Sequence, residues 1–176
     1  MRNTFLLVCL SAATFGNAQL GPEHRFLYPF AAGDKVIHDM DGDGDGDLVY
    51  GDGELWLYEQ TGPNTWAVTT DLGAGGGWCF RKVDMNGDGT LDLVFLGSNG
   101  VACLHILGGG SYGMIQDLIT GIPGLRDLRV GDLDGDADPD IVITIPEPYS
   151  IAWCVNLGGG TFSAPQTLLA EDHPLA

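Results

Sequence analysis

Three evenly spaced aspartate-rich loops, four short apolar segments per interval, and no long stretch of 3.6-residue periodicity predict an all-β chain. Its architecture is read as three four-stranded blades of β-propeller type. The loops run from Asp39 to Asp47, from Asp84 to Asp92 and from Asp132 to Asp140, so their starts lie 45 and 48 residues apart. A second landmark keeps the same step. A hydroxyl residue followed by an aromatic one, Thr65-Trp66, Ser111-Tyr112 and Thr161-Phe162, recurs at intervals of 46 and 50 residues. Two unrelated landmarks in step define a true internal repeat.

The repeats cover about 33–72, 73–120 and 121–170. In the first, β-branched and aromatic runs place strands at 35–38, 47–50, 55–59 and 66–71. In the second, strands are expected at 78–83, 91–96, 101–107 and 114–120, with Ser98-Asn99-Gly100 as the turn between the middle pair. In the third they are expected at 127–130, 141–145, 151–156 and 163–169. Before each hydroxyl–aromatic pair stands a tight turn: Gly62-Pro63-Asn64, Gly108-Gly109-Gly110 and Gly158-Gly159-Gly160. Glycine supplies the positive φ such reversals need. Each aspartate loop thus joins the first strand of its blade to the second.

The loops carry the chemistry. Numbered within each loop, positions 1, 3, 5 and 9 all bear a side-chain oxygen. They are Asp39, Asp41, Asp43 and Asp47; Asp84, Asn86, Asp88 and Asp92; and Asp132, Asp134, Asp136 and Asp140. Charges packed so densely repel one another, and a hard cation among them relieves the repulsion. Calcium takes six to eight oxygen ligands of this kind, so up to three calcium sites are expected. An EF-hand register also fits the first loop, starting at Asp41. It fails in the others, where Phe95 and Ile143 stand at position 12, and the flanks are β-rich. Magnesium sites use fewer carboxylates and keep more waters.

Composition narrows the partners. The formal charge is −17, from 24 acidic and 7 basic residues, and thirteen of the acids lie inside the three loops. That balance argues against nucleic acid and against anionic membrane surfaces. Clusters repeated in every blade suggest a scaffold, since an active site is normally made once. Neither a Gly-x-Ser-x-Gly elbow nor a phosphate loop ahead of a helix is present, so the chain is read as non-enzymatic. Cys79, Cys103 and Cys154 lie in apolar runs, as buried small hydrophobes do. Trp56, Tyr58, Trp66, Trp78 and Trp153 are expected to fill the spaces between blades. Residues 1–18 read as a secretory signal peptide: Arg2 supplies positive charge, 5–13 is apolar, and Gly16-Asn17-Ala18 offers a cleavage site before Gln19. Residues 19–32 form a lead-in segment. The expected location is secreted, extracellular or at the cell surface. No segment is long and apolar enough to insert in a membrane as a helix.

The block from Asp132 to Val142, coupled to Asn156-Leu-Gly-Gly-Gly-Thr-Phe-Ser-Ala-Pro165, resembles the FG-GAP/VCBS repeat family. Its members are calcium-binding blades of integrin-α-type propellers, and the likeness spans roughly 33–170. The resemblance implies metal ligands at positions 1, 3, 5 and 9, with a backbone carbonyl from position 7: Asp45, Thr90 and Asp138. It also implies adhesion or the binding of a protein or carbohydrate ligand through loops on one face. The alternative is the non-catalytic propeller portion of a larger secreted enzyme. Three departures stand out. Ala137 replaces the glycine found at Gly44 and Gly89, Asn86 replaces an aspartate, and three repeats fall short of the roughly four to eight blades of a closed ring. The reading is therefore a fragment of a larger propeller. Self-association of two chains and an open arc closed by an extra strand from 26–32 are the other solutions.

Overall fold

The computed structural model describes residues 34–51, 54–74, 77–147 and 149–170. All regular structure among them is β, arranged as three four-stranded antiparallel sheets. The first sheet orders β1 (Lys35–His38), β2 (Asp47–Gly51), β3 (Glu54–Gly62) and β4 (Thr65–Ala74). The second orders β5 (Trp78–Val83), β6 (Asp92–Gly97), β7 (Gly100–Gly108) and β8 (Ser111–Thr120). The third orders β9 (Asp127–Gly131), β10 (Asp140–Pro146), β11 (Tyr149–Cys154) and β12 (Gln166–Ala170). Each sheet is a simple meander and corresponds to one repeat. The signal-like start, the lead-in and the extra strand expected from 26–32 lie outside the described residues.

Two apolar layers stack the blades. One joins blade one to blade two through Met40, Val49, Leu55 and Leu57 on one side and Phe80, Leu93, Phe95, Leu104 and Ile106 on the other. Its rings Phe80 and Phe95 lie 5.8 Å apart at a 51° tilt, a favourable aromatic geometry. The other layer joins blades two and three through Met85, Val94, Leu96, Val101 and Cys103 against Leu128, Ile141, Ile143, Ala152 and Cys154. The middle blade is therefore covered on both sides. All six residues of β6 are buried, and they alternate by the two-residue period of a strand. Leu93 and Phe95 face blade one, while Val94 and Leu96 face blade three. The continuous apolar run Leu-Val-Phe-Leu follows from that double burial.

Close approach fixes a glycine at the first seam. A Cβ built on Gly51 would collide with the carbonyl of Gly77, so the end of β2 and the entry to β5 meet backbone to backbone.

The outer strand of blade three differs from expectation. Asn156 and Phe162 form an isolated bridge. Ser163 N–H donates to Val155 O at 2.9 Å, and Ser163 Oγ accepts from Val155 N–H at 2.9 Å. Pro165 lacks the N–H that a ladder requires, and β12 begins just after it. All five residues of β12 are exposed.

The aromatic residues expected between blades divide into two groups. Trp78 packs into the second layer. Trp56 and Tyr58 alternate with Leu55 and Leu57, and Trp153 lies between Ala152 and Cys154. They therefore sit on the faces of blades one and three that look away from the middle blade. Trp66 is half-buried and belongs to neither layer.

Phe95→Ala removes the ring at the centre of the first layer and is expected to destabilise by about 3–5 kcal/mol. Leu168→Ala, on exposed β12, should change stability by no more than about 0.5 kcal/mol. Urea unfolding of the two variants checks the pair.

Candidate metal centre

Six hydrogen bonds build each aspartate loop, and the same six recur in all three. The position 1 carboxylate accepts the N–H of positions 4 and 6. Asp39 takes Gly42 and Gly44 at 2.7 and 3.0 Å, Asp84 takes Gly87 and Gly89 at 2.7 and 2.7 Å, and Asp132 takes Gly135 and Ala137 at 2.6 and 3.0 Å. Position 3 accepts from position 5, so Asp41, Asn86 and Asp134 hold the N–H of Asp43, Asp88 and Asp136. Position 5 accepts from position 7, so Asp43, Asp88 and Asp136 hold Asp45, Thr90 and Asp138. These are successive Asx turns, in which a short acceptor side chain caps the backbone two residues on.

Positions 4 and 6 are both left-handed. Gly42, Gly87 and Gly135 have φ of 82°, 76° and 86°; Gly44 and Gly89 have 95° and 88°. Ala137 stands at φ 77°, where a Cβ costs roughly 1–2 kcal/mol.

Position 9 is built differently. Asp47, Asp92 and Asp140 are fully buried. One oxygen of each accepts the N–H of position 2: Met40 at 2.7 Å, Met85 at 3.1 Å and Leu133 at 3.0 Å. The other accepts an N–H beyond the hairpin: Gln60 at 2.8 Å, Ile106 at 3.0 Å and Asn156 at 2.8 Å. This carboxylate therefore ties the loop to the far side of its own blade. Each of its oxygens keeps a further lone pair for a cation.

Positions 1, 3 and 5 come together. Asp39, Asp41 and Asp43 offer oxygens within 4.8 Å of one another, as do Asp132, Asp134 and Asp136. The field among them is unfavourable to charge. Burial, and then the charge of Asp43, hold the Asp45 carboxyl above the ordinary carboxylate range. Asp134 is also raised, first by burial and further by Asp136 and Asp140. Loop 2, where Asn86 removes one charge, behaves in the opposite sense. The Thr90 N–H and then the Asn86 amide hold Asp88 below its usual value. Asp45 Oδ1 is a buried oxygen with no hydrogen-bond partner, while Oδ2 accepts from Gln60 Nε2 at 3.2 Å.

Sequence reasoning overlooked Glu59. Burial, then the charges of Asp41 and Asp47, raise its carboxyl, and it shares a hydrogen bond with Asp41. It stands directly before Gln60, the residue that reaches Asp47, and that register could have revealed it.

The two repeat landmarks meet across the blade seam. A Cβ on Gly42 would lie 3.6 Å from Gly109 N, and one on Gly110 3.3 Å from Asp41 Cβ. Loop 1 thus packs on the glycine turn of the second blade. At the next seam, Asn86 and the turn 158–160 line a cleft of about 200 Å³ together with His105, Gln116 and Asn156. Position 2 follows the same rule. Met40 and Met85 are buried in the layers to the following blade, whereas Leu133 is 46% exposed. Cys79 is half-buried and packs against the second apolar layer; its Sγ also lies 3.2 Å from Asp127 Oδ1, which Arg81 and Arg129 hold.

Residues 84–143 match the family model described as the FG-GAP-like repeat. This stretch is similar to an FG-GAP-like repeat. It contains loop 2, the ladder β6–β8 and loop 3, so two of the three loops fall inside it. No curated protein matches the chain at a significant level. Among solved structures, the chain resembles a lectin of Agrocybe aegerita, described by its specific recognition of non-reducing terminal N-acetylglucosamine. The TM-score is 0.52 at 24% identity, over 78% of this chain and 38% of that one. The chain thus shares the fold of that lectin, spanning little more than a third of the lectin's length.

Asp140→Ala strands two backbone N–H groups and is expected to cost about 2–5 kcal/mol in the presence of chelator. Asp136→Ala, at an exposed position, should cost about 1 kcal/mol or less under the same conditions. Ala137→Gly should stabilise by about 1 kcal/mol by relieving the left-handed alanine. Urea midpoints of the three variants read all of these effects.

Proposed function

We propose that the chain is an exported, calcium-stabilised propeller module that binds a protein or carbohydrate ligand and performs no catalysis of its own. The observation that carries the reading is the threefold recurrence of one loop geometry that concentrates carboxylates. Side chains of positions 1, 3 and 5, the position 7 carbonyl and the buried position 9 carboxylate supply hard oxygens of the type calcium prefers. The partnerless Asp45 Oδ1 is an acceptor that a cation would satisfy. Bound calcium would neutralise acids whose mutual repulsion opposes folding, so metal binding and folding are linked. Glu59 gives loop 1 an additional carboxylate, which favours it as the tightest of the three sites.

A carbohydrate ligand is supported by the fold shared with a sugar-recognising lectin. The polar cleft at the seam of blades two and three offers amide and imidazole groups from Asn86, Gln116, Asn156 and His105. Such groups suit hydroxyl-rich ligands. Export is supported by the arrangement of Arg2, the apolar run 5–13 and the small residues Gly16 and Ala18.

Thermal melting in chelator and in millimolar calcium, with magnesium as control, tests the core of this reading. Saturation at about a hundred times the dissociation constant is worth about 2.7 kcal/mol, which predicts a calcium-specific rise of roughly 5–10 °C. Asp43→Ala should lower the calcium stoichiometry in calorimetry by one site. A folded chain whose melting ignores calcium would refute the reading. Calcium-dependent retention on immobilised N-acetylglucosamine would support the sugar assignment, and retention of protein ligands alone would replace it.

A further inference from the structure

Behind loop 2 lies a group of side chains that the repeat does not account for. Asp92, Cys103 and His105 each offer one donor atom, and the three atoms lie within 4.8 Å of one another. Asp92 and Cys103 are fully buried, and the His105 side chain is 17% exposed. His105 Nδ1 lies 3.1 Å from Asp92 Oδ2 and 3.8 Å from Cys103 Sγ.

The other ring nitrogen decides what Nδ1 presents. His105 Nε2 is 3.0 Å from Gln116 Oε1. The Gln116 amide is oriented by its own Nε2, which donates to Gly160 O at 3.2 Å. Oε1 is therefore the acceptor, and Nε2 of the imidazole carries the proton. In the neutral ring, Nδ1 then turns a lone pair toward a carboxylate oxygen and a sulfur. The carboxylate oxygen and the Nδ1 lone pair repel each other in that tautomer, and a cation that takes the place of the Cys103 thiol proton removes the repulsion and gives all three atoms a common partner. A histidine that ligates a metal commonly donates its other ring N–H to an oxygen in this way.

We propose that Asp92, Cys103 and His105 form a three-ligand site for a borderline-soft divalent cation of the zinc class. Tetrahedral zinc with ordinary bond lengths sets ligand edges of about 3.3 Å between nitrogen and oxygen and about 3.6 Å between nitrogen and sulfur. The distances of 3.1 and 3.8 Å fall within about 0.2 Å of those edges. Sulfur and imidazole select zinc-like ions over calcium. On binding, the Cys103 thiol proton leaves to solvent and the thiolate takes its place in the coordination shell. The fourth position is filled by water from the adjoining cleft, which His105 and Gln116 line.

The site is peculiar to the middle blade. Cross-strand register places Leu57 opposite Val49, Cys103 opposite Val94 and Trp153 opposite Val142. Two residues on stand Glu59, His105 and Val155, each directly before the residue that reaches position 9. Blades one and three thus lack both the sulfur and the nitrogen, although all three keep the aspartate. The assignment does not depend on calcium occupying the loops.

Cobalt(II), a spectroscopic stand-in for zinc, tests the site in the whole chain with calcium saturating, which screens out ions held by the loops. One equivalent of cobalt is expected to give a thiolate-to-cobalt absorption band that one equivalent of zinc displaces. Cys103→Ser should abolish the band, and His105→Gln should weaken zinc binding by about tenfold or more. Cys79→Ser and Cys154→Ser should retain it. Absence of the band in the folded chain, or its persistence undiminished in Cys103→Ser, would overturn the proposal. Should Cys103→Ser fail to fold, His105→Gln decides the matter, and unchanged zinc affinity in it is equally fatal.

Discussion

The buried position 9 carboxylate is the constraint on which each blade depends. Asp47, Asp92 and Asp140 have no contact with solvent, and each accepts two backbone N–H groups from opposite sides of its blade. One comes from the loop just after the first strand, and the other from beyond the second hairpin. A buried carboxylate is tolerated only when its desolvation is offset by strong, well-aligned donors. Here the donors are main-chain groups that would otherwise lie unpaired. The charge therefore closes the loop and sets the register of the meander at once.

Stacking of blades depends on a different rule, the two-residue alternation of strands. In the middle blade every residue of β6 is buried because both faces are covered, and its apolar run has no polar partner residue in alternation. The first seam is completed at its rim by the repeat landmarks themselves. Loop 1 lies beside the glycine turn of the blade that follows, so close that a methyl group added to Gly42 or Gly110 would touch the opposite segment. This contact explains why the two landmarks recur in step along the chain.

Charge and packing are separated within the molecule. The acids crowd into loops at the blade ends, while the layers between blades are almost wholly apolar. The loops hold their shape through side-chain acceptors and backbone donors, but these bonds do nothing to cancel the repulsion among carboxylates. The carboxyls of Asp45 and Asp134 are raised first by burial and further by neighbouring carboxylates. Loop 2 carries less charge, and beside it the chain departs from its repeat by placing sulfur and imidazole next to the buried aspartate. The middle blade thus differs from its neighbours in what surrounds its buried aspartate.

The repeat period, the strand content and the oxygen-bearing positions of the loops were legible in the sequence, because each is set locally. Glycine and aspartate report turn geometry directly, and apolar runs report strands. Ala137 among glycine counterparts left the conformation of position 6 open, and the structure makes it left-handed in all three loops. The division of labour among the loop acids was not. Position 9 looks like the others in sequence, and only the fold places it under the loop and within reach of Gln60, Ile106 and Asn156. The nearness of Glu59, His105 and Cys103 to the loop carboxylates was not legible, because it comes through a hairpin rather than along the chain. Trp56 and Trp153 face away from the middle blade, which a strand sequence could not foretell because it gives alternation but not which face meets a neighbour. Local chemistry thus determined what each blade is made of, and tertiary packing decided which of its side chains meet, since that depends on contacts between residues distant in sequence.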